Sequence, residues 1–123
     1  MGISQINVLG AGVFFVFIFL SGVWLRRTGK PYSGIKLNIH KFISLGAFYY
    51  LGRLVVGLHQ STGLSTAAYL MSITTAGLFV VTIISGGLVS IDKEMPRLVI
   101  WLHKLAPYLI MVSAVTILYF IQI

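Results

Sequence analysis

The sequence predicts an all-α integral membrane protein, an up-down bundle of four helices with a two-fold internal repeat of helix pairs. Three observations predict it. Hydrophobic residues fill 58% of the 123 positions and charged residues only 9%, against roughly 25% charged in a soluble domain. Four apolar segments each offer about the 20 residues that a hydrocarbon core of ~30 Å requires. The basic residues gather beside the connections between those segments instead of spreading along them. The length bounds the chain to a single four-helix transmembrane domain over residues 1–123.

The first segment, Ile6–Leu25, ends on Arg26-Arg27, a stop-transfer flank. It lacks the basic start of a signal peptide and outruns a signal's apolar stretch, so it is expected to stay as a helix. Met1-Gly2 has no Ser or Thr at the sixth position, which argues against myristoylation. The others are Lys36–Leu58, Thr66–Val89 and Arg97–Ile121. None alternates as a barrel strand would, and only helices then satisfy every backbone group in lipid. Short connections make successive helices antiparallel neighbours. Pro96 suits the opening turn of the fourth helix, where a missing N–H costs nothing. Asp92 and Glu94 complement the positive end of that helix, and Trp101 is an interfacial anchor.

Charge sets the expected orientation. Arg26, Arg27, Lys30, Lys36 and Lys41 surround the first connection, and Lys93, Arg97 and Lys104 the third. The second, His59–Ser65, has no Lys or Arg. The positive-inside rule then puts the basic connections in the cytoplasm and both termini outside, in a membrane of the prokaryotic cytoplasmic type. The same clustering explains a net charge of +7 without nucleic acid as partner.

The two halves resemble each other. FIFLSGVWL, then Lys30-Pro31, then Ile39-His40-Lys41 is echoed by VTIISGGLV, then Lys93 and Pro96, then Leu102-His103-Lys104. Ser21-Gly22 precedes His40 by 19 positions, and Ser85-Gly86 precedes His103 by 18. Helices two and four therefore run the same way, with both histidines at one cytoplasmic-side depth.

The chain has no cysteine, so thiolate ligation and iron–sulfur clusters are excluded within it and three histidines are the soft-nitrogen donors. Two imidazoles are a standard axial pair for haem iron, and His40 and His103 are the expected metal ligands. A porphyrin needs small residues at its edges, and Gly22 and Gly86-Gly87 lie near that level. Gly10, Gly12, Gly46, Gly77 and Ala114 permit close helix approach, which is also ordinary membrane packing. Arg26 and Arg27 are candidates for the haem propionates, with Lys30, Lys93 and Arg97 behind them. Pro107, four residues after His103, is expected to kink helix four. His59 lies 19 residues past His40, ~28 Å along a helix, and is expected to be a solvated loop residue; a second haem on His59 and Met71 is disfavoured. Arg53, ~20 Å from His40 and about 140° around the helix from it, is expected to snorkel outward. A quinone, lipid or partner-subunit contact is its other reading. The two carboxylates, Asp92 and Glu94, have no nucleophile-and-base pair nearby, so hydrolytic catalysis is not expected.

In His40 and His103 on helices two and four, in Lys41 and Lys104 after them, and in the small residues around them, the chain resembles the membrane four-helix b-type cytochromes. That broad group includes the cytochrome b561 superfamily. The resemblance implies haem b ligation and electron exchange with a quinone or a partner protein. Di-haem members use four histidines, whereas this chain offers one pair. One haem near the cytoplasmic side of a larger respiratory or photosynthetic complex is the expectation, among other membrane subunits and lipid. A cofactor-free structural or assembly subunit and a (bacterio)chlorophyll-binding subunit are the alternatives.

Overall fold

The computed structural model describes the backbone of residues 3–91 and 93–122, and their side chains except at 3–5, 62, 118 and 120–122. Among the described residues it is all-helical, with α1 (Ile3–Thr28), α2 (Gly34–Thr62), α3 (Thr66–Val89) and α4 (Arg97–Gln122). All four are long and apolar enough to cross a membrane. Large apolar side chains stand exposed on each, among them Phe17, Phe42, Ile73 and Leu98. Water does not tolerate apolar surface on that scale in a monomer, whereas lipid does.

Two helices outrun their apolar segments, and glycine explains where they stop. α1 carries Arg26 and Arg27 in its last turn, and Gly29 (φ +71°) ends it by donating its N–H to the Leu25 carbonyl at 3.0 Å. α2 continues to Thr62, where Gly63 (φ +73°) donates to the His59 carbonyl at 3.0 Å. Both are left-handed caps that a residue with a Cβ enters at a penalty. His59, expected in a loop, therefore lies within the last turn of α2. The side chain of Ser65 caps α3 by accepting from the Ala68 N–H at 3.2 Å. Pro96 immediately precedes α4, and its carbonyl accepts from Ile100 at 3.4 Å. Asp92 lies outside the described residues, and Glu94 is exposed in the connection. Pro107 sits inside α4, which runs through it as one helix.

The chain divides into two compact units, Met1–Gly52 and Arg53–Ile123. In the first, α1 and most of α2 form an antiparallel hairpin. Phe14 lies against Tyr50, ring centroids 5.3 Å apart, and against Gly46. The Tyr50 hydroxyl occupies the space over Gly10 and donates to the Asn7 carbonyl at 3.2 Å. Lys36 lays its ammonium over the Trp24 ring, 5.0 Å from the centroid.

In the second unit α3 and α4 pack along their length. Ala106, Ile110, Ala114 and Ile117 are the buried stripe of α4, and Ala68, Thr75, Phe79 and Ser85 that of α3. Apart from the six-residue step to Ser85, their spacings of three, four and seven follow one face of a helix. Thr75 donates to the Met71 carbonyl at 2.8 Å and accepts from the Ser113 hydroxyl at 2.5 Å. Lys104 stands over the exposed ring of Trp101 at 5.8 Å.

Candidate functional site: a histidine clasp in each hairpin

His40 is the seventh residue of α2, and His103 the seventh of α4. Each reaches back to the helix before it and meets a Ser-Gly pair there. In the first hairpin His40 Nδ1 lies 2.7 Å from Ser21 Oγ. In the second His103 Nδ1 lies 3.4 Å from Ser85 Oγ and 3.1 Å from the Thr82 carbonyl. Ser21 and Ser85 are buried, and the only other buried polar or charged residue among those described is Thr75. The serines marked the repeat in the sequence. Here they are the imidazoles' partners.

The glycine beside each serine makes room for the ring. A methyl built on Gly22 would stand 3.3 Å from His40 Cε1, and one on Gly86 only 2.7 Å from His103 Cε1. Gly22 and Gly86 were expected to flank a porphyrin edge, and the group that lies against them is the imidazole itself. Gly87 has open space where a Cβ would be.

Hydrogen-bond chemistry fixes the proton on His103. A carbonyl can only accept, so His103 donates its Nδ1–H to Thr82, and the lone pair of the neutral ring is on Nε2. Ser21 Oγ joins the Ile18 carbonyl, three residues back, at 2.9 Å and His40 Nδ1 at 2.7 Å. Ser85 donates to the Thr82 carbonyl at 3.1 Å. His59 differs from His103: its Nδ1 accepts from the Leu64 N–H at 3.4 Å. It is exposed, with the Tyr69 ring 6.3 Å away.

The residue four beyond each histidine also differs from a plain helix position. Ser44 donates its hydroxyl to the His40 carbonyl at 2.8 Å, and Pro107 has no N–H to give to the His103 carbonyl.

Arg26 and Arg27 are exposed in the last turn of α1, beyond Gly22. Arg53 is exposed on α2. The structure brings Gly22 to His40 and Gly86 to His103, each within its own hairpin. Among the described residues no three or more His, Cys, Asp or Glu side chains gather to hold a bare metal ion. A macrocycle with its own in-plane donors asks less of a protein, namely axial imidazoles. No family model, curated protein or solved structure matches the chain.

Proposed function

We propose that this chain is a membrane electron-transfer cytochrome b subunit, with His40 and His103 as the axial ligands of one b-type haem. The observation that carries the reading is the repeated clasp. Each imidazole rests its Nδ1 on the preceding helix of its own hairpin and its ring on a glycine, and an outer partner of that kind orients a ligating histidine. His59, exposed in the last turn of α2, is left out of the ligand set. When bound, haem iron would supply one-electron chemistry at a potential tuned by its ligands. The chain's own part is to hold two rings in orientation, with Ser21 and the Thr82 carbonyl bonded to their Nδ1 atoms and Gly22 and Gly86 giving them space. Arg26 and Arg27 are the candidate partners for the propionates.

Eight basic residues around the first and third connections support a cytoplasmic side for the haem, with both termini outside. Further membrane subunits, and a quinone or partner protein as electron donor or acceptor, belong to the same reading.

A second reading keeps the clasps without the cofactor. A ring that bonds one helix and seats on its glycine already ties two helices together, and a scaffold subunit needs no more. One visible spectrum of the detergent-purified protein separates them. A dithionite-reduced α-band of the haem b kind, lost in His40→Ala and in His103→Ala, supports the cytochrome. A colourless, intact preparation supports the scaffold, and a far-red band a (bacterio)chlorophyll protein.

A further inference from the structure

We infer that the first hairpin carries a binding site for an anionic phospholipid, with an acyl chain in a groove between α1 and α2 and the phosphate at the Lys36 ammonium. The inference uses neither histidine and stands apart from the cytochrome reading. A groove of about 540 Å³ opens on this hairpin, lined by Gly10, Val13, Phe14 and Phe17 of α1 and by Ile43 of α2. The α1 residues follow Gly10 by three, four and seven positions, one face of a helix. Every lining residue is apolar, and Val13 and Phe17 are exposed. A hydrocarbon chain suits such a wall.

Register sets the polar end of the site. Trp24 lies seven residues beyond Phe17 on α1, and Lys36 lies seven before Ile43 on α2. Seven residues are nearly two turns, ~10.5 Å. Both side chains therefore stand over the groove's own face, displaced toward the first connection. There they meet, with the Lys36 ammonium 5.0 Å from the Trp24 ring centroid. An exposed indole at that level belongs among lipid headgroups, and it holds the ammonium at the mouth of the groove.

Charge selects the headgroup. Residues 1–52 include Arg26, Arg27, Lys30, Lys36 and Lys41 and no Asp or Glu. The two acidic residues of the chain, Asp92 and Glu94, belong to the third connection. A zwitterionic lipid brings a cation of its own to this basic end, whereas an anionic lipid brings only the complementary sign. The positive-inside rule accounts for the number of basic residues. It does not account for one of them seated on a tryptophan above an apolar groove.

The test uses the full chain in phosphatidylcholine vesicles that carry a minor fraction of brominated lipid, which quenches tryptophan on contact. Trp101→Phe leaves Trp24 as the one reporter, since the chain has two tryptophans. Brominated phosphatidylglycerol is expected to quench Trp24 at an about fivefold lower mole fraction than brominated phosphatidylcholine, the worth of one lysine at a membrane surface. Lys36→Gln removes that preference, while Lys36→Arg and Lys104→Gln keep it. Val13→Phe fills the groove without changing any charge, and lowers the preference too.

Equal quenching of Trp24 by the two lipids overturns the proposal and leaves the basic residues to topology alone. A preference that survives Lys36→Gln at full strength overturns the phosphate contact, and one that Val13→Phe leaves untouched takes the chain out of the groove. If neither lipid reaches Trp24 while both quench Trp101 in a Trp24→Phe variant, protein covers the groove, and the lipid site is overturned.

Discussion

The first hairpin and the second are built to one plan and tightened by different means. In both, the seventh residue of the later helix is a histidine whose Nδ1 meets a buried serine on the earlier one. Ten residues on, both carry a second tie, through Tyr50 in one and Ser113 in the other. Yet the first hairpin joins its helices with a side-chain hydroxyl at the histidine and a tyrosine lying over glycine. The second uses a backbone carbonyl at the histidine and a hydroxyl pair beyond it. The lesson is that the plan specifies where two helices must be joined, and local residues decide how.

The largest expected effects test the shared plan. Under the cytochrome proposal, His40→Ala and His103→Ala should each abolish the reduced haem b band, while His59→Ala retains it, all read from the same visible spectrum. Loss of the band in His59→Ala alone would reverse the ligand assignment. Next comes the glycine seat, where the hairpins should part. Gly86→Ala pushes a methyl to 2.7 Å from His103 and is expected to lower stability by about 1–3 kcal/mol, as overpacking does. Gly22→Ala, at 3.3 Å, should fall below it in detergent-unfolding measurements, and equal losses would erase the distinction. Replacing either left-handed cap, Gly29→Ala or Gly63→Ala, should lower stability by about 1 kcal/mol, read as a fall in the unfolding midpoint. The smallest effects lie at the second ties. Tyr50→Phe and Ser113→Ala each remove one interhelical hydrogen bond, worth about 0.6 kcal/mol in a membrane. A Tyr50→Phe loss well above that would make the ring's hydroxyl the main lock of the first hairpin.

The helices were legible because membrane depth demands length and apolarity, and the segments met both. Their ends were less so. The basic pair Arg26-Arg27 and the polar run after Leu58 read as departures from the membrane. A helix nevertheless continues past its apolar stretch until something stops it, and here Gly29 and Gly63 do. In the candidate site the histidines were legible from their repeated contexts. The serines were visible as a motif but not as partners, because a hydrogen bond between helices depends on register that spacing alone only suggests. The 19 and 18 residue separations carried that signal. Counted as two antiparallel arms around a turn, they set each serine opposite its histidine. The part played by the Thr82 carbonyl had no such trace, since every residue has a carbonyl.

Each serine's bond to a carbonyl three residues back has one more implication. The hydrogen-bonded chain that leaves Nδ1 ends on an amide oxygen, far too weak a base to take up a proton in neutral water. Along the serine path, then, neither imidazole meets a group able to carry a proton away. Under the cytochrome proposal that path would take no part in moving protons.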